Sequence, residues 1–345
     1  MKFRDLFRKK NRRVLFTTPS HSQKFCVVDK LRHFYSWDIS ETDTHNPQEV
    51  LFNSQKKASE IYKVKQTFFL TNGSSSGVIA GVLACVKRDD NVLVFRDAHR
   101  CHHNAIKLAG ANPIYYELPS VKEWDIYDKA TPSNLEQYFK QYKIKAAIVT
   151  SPTYYGIISD IKSIKELCDK YSAFLIVDEA HGALYPFSDE LPESAVKYAD
   201  IVVQSLHKTA GGLNPTALLH SNLDYDIQPY LDMITTTSPS YPLLASIEAN
   251  IHYLNSKKGR EKINKLISQI KTLRECTKNV DFGGDDITKI LIKKDGLSGY
   301  ELSEILFDKY SIEDEITNET STMLLTGLGT SEEKLLKLKR ALSKI

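Results

Sequence analysis

The sequence predicts an α/β fold built on a mostly parallel sheet with helices on both faces, followed by a small α+β unit. Three observations carry this. From about residue 66, short apolar runs alternate with amphipathic stretches, which is the pattern of a doubly wound sheet. The runs are continuously apolar rather than alternating, as parallel strands covered on both faces require. Near residue 245 the texture changes to longer, charged helical periodicity. The 345 residues thus divide into an N-terminal segment (1–50), a large domain (51–245) and a small C-terminal domain (246–345).

The opening "MKFRDLFRKKNRR" is locally basic and reads as a solvated first helix, with contact to an anionic partner as the alternative. No apolar core follows it, so it does not read as a signal peptide. "TFFLT" (67–71), "NVLVF" (91–95), "NPIYY" (112–116), "AAIVT" (146–150), "FLIVD" (174–178) and "DIVVQS" (200–205) read as buried strands. Helices are expected between them at 75–87, 101–109, 134–142 and 161–171. Residues 246–277 read as one long amphipathic helix. A strand at 287–294, a helix near 298–309, a strand at 322–327 and a final helix over 331–345 follow. Thr330 and Glu333 have the spacing of a capping box for that last helix, and Leu335, Leu338, Leu342 and Ile345 give it one apolar stripe.

Composition narrows the function classes. Lys+Arg (46) and Asp+Glu (43) nearly balance at a net charge of +3, so no global field argues for nucleic acid. No apolar run reaches the ~18 residues that a membrane span needs. The 5 cysteines form no CxxC pair and read as idle thiols in a reducing cytoplasm. Cys101 with His102 and His103 is the nearest approach to a metal cluster, and no metal site is expected.

In open α/β sheets, ligands bind beyond the carboxyl ends of the strands. "NGSSSG" (72–77) follows the first strand, and its backbone N–H groups and hydroxyls suit a phosphate at a helix N-terminus; an ordinary capping turn is the plainer reading. "RDAHRCHH" (96–103) offers His99 as a base, a stacking ring or a helix cap. "DEAHG" (178–182) resembles the acidic strand end of a nucleotide-driven motor, but no G-x-x-x-x-G-K-[ST] loop precedes it. "SLHKTAGG" (205–212) puts Lys208 at the end of a buried strand, either as a solvated loop lysine or as a desolvated amine that forms a Schiff base. Together a phosphate cradle, an aromatic-capable His, a carboxylate and an amine make the set that pyridoxal phosphate needs.

With "TNGSSSG", "RDAHRCHHNAI", "SPTYYGIISDI", "IVDEAHGA", "QSLHKTAGGL" and "TTTSPSYPLLAS", the sequence resembles the Orn/Lys/Arg decarboxylases, pyridoxal-phosphate enzymes of fold type I, over roughly 38–250. The resemblance implies that Lys208 forms the aldimine with the cofactor and that Asp178 holds the pyridine nitrogen protonated. It implies that His99 stacks on the ring and His181 sits beside Asp178. It gives the phosphate to Ser74 and Ser75 with help from Ser205 and His207, while Thr236 reaches the phosphate of another subunit in a homodimer or larger assembly. The implied reaction is decarboxylation of arginine, lysine, ornithine or a similar amino acid through a quinonoid, in the cytoplasm, with an amine product of the polyamine-synthesis kind.

Some positions depart from the family pattern. The family's "PGHK" is here "PSHSQK" (19–24), keeping Pro19 and His21 but with Ser20 and Ser22. Pro215 stands where the family often carries Gln. The sequence stops at 345, where many members continue with a domain that helps wall the substrate entrance, so the resemblance is to a short member. Glu315 falls near an acidic position that would receive a distal cation; a surface carboxylate beside Glu313 and Asp314 is the plainer reading. Other lyase or aminotransferase chemistry on the same scaffold is the alternative, although residues 278–339 hold no Arg for the substrate carboxylate of a transaminase. A non-catalytic subunit would be expected to have lost Lys208, Asp178 or His99, and all three are present.

Overall fold

The computed structural model describes residues 2–9, 18–20, 22–23, 26, 28–40 and 47–345. His21 and Lys24 of the "PSHSQK" stretch and the basic Lys10, Arg12 and Arg13 lie outside the described residues.

The first helix, α1 (Phe3–Lys9), is docked rather than solvated: Phe3, Leu6 and Phe7 are buried while Arg4 and Asp5 face outward. Spacing of three and four places those apolar residues on one face. They enter a core shared with Val50 of α3 (Pro47–Tyr62) and with Tyr241, Leu244 and Ile251 of a later helix; a short helix α2 (Arg32–Trp37) lies between α1 and α3.

The main sheet has seven strands in the order β1-β9-β8-β7-β6-β2-β3. They are β1 (Gln66–Leu70), β2 (Asn91–Phe95), β3 (Asn112–Tyr116), β6 (Ile144–Thr150), β7 (Phe174–Asp178), β8 (Ile201–Ser205) and β9 (Ala217–Ser221). A small hairpin of β4 (Ser120–Val121) and β5 (Ile126–Tyr127) stands apart from it. Strands β3, β2, β6, β7 and β8 run parallel, and β9 runs antiparallel to both of its neighbours, β1 and β8. All the strands expected from the apolar runs are present within a residue or two. Strand β9 was not expected: it directly follows the glycine-containing loop after Lys208, and its "ALLHS" is buried throughout. Helices α4 (Ser74–Cys85), α5 (Arg100–Ala109), α6 (Pro132–Gln141) and α7 (Ile161–Lys170) connect the strands. They cover the two sheet faces, with separate cores on each side. Because β1 and β8 run with the parallel set, the residues after β1, β2, β6, β7 and β8 emerge at one edge.

Past β8 the short helices α8 (Leu206–Thr209) and α9 (Gln228–Asp232) lead into α10 (Tyr241–Asn255) and α11 (Lys257–Cys276). The single helix expected over 246–277 is therefore two. Ser256 is extended (φ −76°, ψ 156°) and its hydroxyl accepts from the Gly259 amide at 3.1 Å, capping α11. A side chain at Gly259 would come within 2.0 Å of the Tyr253 carbonyl, so the chain turns tightly there.

A second, four-stranded antiparallel sheet runs β10-β11-β13-β12, formed by β10 (Asp281–Gly283), β11 (Lys289–Lys293), β12 (Ile316–Thr317) and β13 (Thr322–Leu325). It packs with α11, α12 (Gly299–Tyr310) and α13 (Glu332–Leu342) around a separate core. The cap of α13 is Ser331, whose hydroxyl accepts from the Lys334 amide, and not Thr330. Thr330 instead accepts from the Gly327 amide at 3.1 Å, one residue too early to cap the helix. The expected stripe is in place: Leu335, Leu338 and Leu342 are buried and Ile345 packs against them. Among the described residues no helix is long and apolar enough to cross a membrane.

Candidate active site

The strand ends converge on a cavity of about 320 Å³, lined among others by Ser74, Ser75, His99, Asp178, His181 and Lys208. Each is placed by a local feature. Gly73 adopts φ +85°, a left-handed conformation that costs glycine little, and this starts α4 directly after β1. Ser74 and Ser75 are therefore the first residues of that helix, where amides lack intrahelical partners. The Ser205 side chain, at the end of β8, is fully buried and its hydroxyl has no hydrogen-bond partner among the described residues.

Asp178 ends β7 in a buried position. Its Oδ2 lies 2.9 Å from His102 Nε2, and its Oδ1 accepts from the Ala180 amide at 3.1 Å. Burial pushes its pKa up, but the His102 hydrogen bond, the charges of His102 and Lys208 and the Ala180 amide outweigh burial, so the carboxyl sits below its ordinary value.

His99 acts as the cap of α5, its Nδ1 accepting from the Cys101 amide at 3.3 Å and lying 3.0 Å from Cys101 Sγ. The helix-cap reading is therefore fulfilled, and the ring still faces the cavity. Burial lowers its pKa.

Lys208 lies in α8, one turn beyond β8. Its Nζ is 3.0 Å from His181 Nε2 and 5.9 Å from the centre of the Tyr154 ring. Burial lowers its pKa, with the charges of Asp178 and Glu315 partly opposing. It is thus a half-buried amine rather than a solvated loop lysine. His207 turns the other way, its Nδ1 at 2.9 Å from the Thr216 carbonyl, with the ring at the cavity wall.

His181 is buried, with the Tyr154 ring centre 4.8 Å from its own. Its Nδ1 is hydrogen-bonded with Lys289 Nζ. Burial and the neighbouring cations Lys289, Lys208 and His207 hold its pKa well below the ordinary histidine value, so the ring is neutral. Glu315 is exposed, yet its Oε1 accepts from the Tyr154 hydroxyl at 3.0 Å, which tethers it at the rim of this cavity.

Thr236 is not brought to this cavity. It is exposed, its hydroxyl accepts from the Ser238 amide at 3.1 Å, and it lines a separate cavity of about 590 Å³ with Phe52, Phe68 and Tyr241.

Four neighbours were given no role in this cavity by the sequence, where Cys101 and His102 stood out only as the nearest approach to a metal cluster. His102 shows only as the first of two adjacent histidines, two residues inside α5. Tyr154 lies in a loop that carries no spacing signal. Lys289 is hidden in "ITKILIKK", where it reads as a strand-flanking charge, yet it is fully buried. Cys101 completes the fourth. Ligand atoms of Cys101, His102 and Asp178 approach within 4.8 Å of one another, a grouping hidden by the 76-residue separation of His102 from Asp178. Two contacts already engage those groups, His102 on Asp178 and His99 on Cys101. All five cysteines are unpaired, and Cys85, Cys101 and Cys168 are buried.

A carboxylate fixed in a buried wall, an amine just past the next strand end and a serine-bearing helix start share one cavity, a set of groups that fits an anionic aromatic cofactor; the buried Ser205 hydroxyl is not among the cavity's lining residues. The family comparison agrees: residues 36–291 match the family described as Orn/Lys/Arg decarboxylase, major domain, and the chain belongs to that family. It is 30% identical over 363 residues to the arginine decarboxylase of Bacillus subtilis, covering 96% of this chain and 74% of that protein. It is 31% identical over 340 residues to the uncharacterized protein YaaO of the same organism, covering 91% of this chain and 71% of that protein. The fold is similar to that of the lysine decarboxylase A of Pseudomonas aeruginosa, with a TM-score of 0.86 at 18% identity. That match covers 99% of this chain and 59% of the longer enzyme. The ureidoglycine-glyoxylate aminotransferase of Bacillus subtilis shares the fold at a TM-score of 0.66 and 14% identity, over 89% of this chain and 86% of that one.

Proposed function

We propose that the protein is a pyridoxal-phosphate-dependent decarboxylase of a basic amino acid. The observation that carries this is the pairing, across one cavity, of the buried Asp178 carboxylate held by His102 with the desolvated Lys208 amine. The partnerless Ser205 hydroxyl and the start of α4 fit the cofactor's phosphate. Bound there, pyridoxal phosphate supplies a pyridine ring that draws off the electron pair released as the bond to the substrate carboxylate breaks.

The chain's own residues do the rest. Asp178 would supply a negative charge to the ring nitrogen, and His102 holds that carboxylate in one orientation. His99, fixed as a helix cap, offers its ring face to the cofactor. Lys208 would hold the cofactor's aldehyde carbon, and His181 Nε2, 3.0 Å from Lys208 Nζ, would hold or take a proton there. Ser74, Ser75, Ser205 and His207 bind the phosphate. Glu315, fixed by Tyr154, receives the distal cation of the substrate; its charge is felt at Lys208, which favours arginine, lysine or ornithine over an apolar amino acid. The exposed Thr236, which does not line the Lys208 cavity of its own chain, suits a homodimer in which it completes the partner's phosphate site.

The test is product analysis by mass spectrometry after incubating the cofactor-loaded protein with arginine, lysine, ornithine and diaminopimelate separately. An amine lighter than its substrate by one carbon dioxide is expected from at least one of them and names the substrate. No amine from any, with cofactor bound, overturns the reading in favour of other lyase or transferase chemistry.

A further inference from the structure

Lys289 is the first residue of β11 in the second sheet, and its side chain is fully buried. Alternation along β11 turns it and Leu291 to one face while Ile290 and Ile292 join the core with α11. Its stem is clamped by Gly156 (φ +87°), where an added Cβ would fall 2.8 Å from Lys289 Cγ. The amine meets His181 at Nδ1, the ring nitrogen that Lys208 does not use, and Lys289 is not among the cavity's lining residues. Asp286, the nearest buried carboxylate, is occupied elsewhere: it accepts from the Tyr185 hydroxyl and from the amide and hydroxyl of Thr288, each at 2.7–2.8 Å.

One imidazole therefore stands between two amines, Lys208 at Nε2 and Lys289 at Nδ1. A neutral imidazole has one N–H and one lone pair. It can accept from only one ammonium, and its other nitrogen must donate to an amine that presents a lone pair. Two hydrogen bonds of this kind cannot form with both lysines charged.

We propose that Lys208, His181 and Lys289 form a proton relay in which the two lysines share one positive charge across one imidazole. In the first state Lys208 is the ammonium, donating to Nε2, while Nδ1–H donates to the Lys289 amine. In the second, a proton has left Lys208 Nζ for Nε2 and the Nδ1 proton has joined Lys289 Nζ. The imidazole is neutral in both, with its tautomer reversed, and the net charge of the three side chains is unchanged. Lys208 then carries a free electron pair and is a nucleophile, without releasing a proton to solvent. The charged groups around the relay allow both states. Asp178, Glu315 and Cys101 favour charge at Lys208, and Asp286 and Glu315 favour it at Lys289; His207 disfavours charge on His181 itself. Lys289 is a positioning and proton-holding residue and does not touch substrate. The role in Lys208 chemistry rests on the proposed function, but the relay does not need the cofactor to be observed.

The test labels the cofactor-free full chain with a pulse of an amine-acylating reagent across about pH 6 to 10 and follows Lys208 by peptide mass spectrometry. Lys289→Gln keeps a hydrogen bond to Nδ1 but cannot take the proton. It is expected to move the Lys208 profile upward by about one pH unit, or about tenfold in labelling rate at a fixed pH. In a His181→Gln background the same change is expected to move the profile no further, because the relay is already cut. Nitrogen-15 NMR of His181 is expected to show two exchanging tautomers in the wild type and one in Lys289→Gln. An unmoved profile, or equal shifts in both backgrounds, overturns the relay and leaves a simple field effect. Should Lys289→Gln not fold by circular dichroism, the wild-type NMR decides alone, a single tautomer at all pH values overturning the relay. Binding of pyridoxal phosphate, read separately by absorbance, tests the proposed function independently.

Discussion

His102 Nε2 lies 2.9 Å from Asp178 Oδ2, joining the first turn of a ten-residue helix to the end of the central strand β7. The pair is almost wholly removed from water, so a charged carboxylate there depends on its partners. His102→Phe is expected to raise the Asp178 pKa, since burial then acts with one fewer opposing contact. The weakened charge should cost cofactor affinity by about 1–3 kcal/mol, read as the Kd for pyridoxal phosphate by absorbance titration. An unchanged Kd would mean that His102 serves packing alone.

Glu315 and Tyr154 give a second expectation. Their hydrogen bond is at the exposed rim, so its worth is modest. Glu315→Gln is expected to raise the KM for a basic substrate about fivefold, on the order of 1 kcal/mol, with kcat nearly kept. A fall in kcat at constant KM would instead assign Glu315 to the chemical step.

Glu179, next to Asp178, points to the other side of the sheet into a closed polar cluster. It accepts from the Ser194 hydroxyl, the Ala195 amide and the Gln204 side chain, at 2.6–2.7 Å. Burial pushes its pKa up to about 7, with those three donors opposing. A carboxyl with a folded pKa above its unfolded value binds its proton more tightly when folded. Its contribution is therefore fully present below the unfolded pKa of about 4 and is lost as pH rises towards 7, amounting to about 3 kcal/mol. The difference in stability between wild type and Glu179→Gln, from denaturant unfolding at about pH 5 and pH 8, should shrink at the higher pH. A constant difference would show that Glu179 is charged throughout.

Much of the fold was legible because fully buried strands leave continuous apolar runs and the helices between them leave a period. The sequence reading missed β9, whose "ALLHS" follows so closely on the Lys208 loop that it was absorbed into it. It also fused α10 with α11, because a helical period survives across Ser256 while the cap signal rests on one hydroxyl and Gly259. In the site, residues that follow strand ends could be found by position: Asp178, Lys208, His99 and the serine turn. Their supporting partners could not. His102 and Lys289 reach the site from 76 and 108 residues away from the groups they touch, and such contacts leave no periodic trace. A lysine inside an apolar strand, as at Lys289, is the one local anomaly that sequence alone offered.

The most direct measurement is borohydride reduction of the protein loaded with pyridoxal phosphate, followed by peptide mass spectrometry. The account predicts a pyridoxyl group on Lys208 and none on Lys289, with Lys208→Ala losing both the modification and turnover while remaining folded. A pyridoxyl group on another lysine, or turnover that survives in Lys208→Ala, would contradict it.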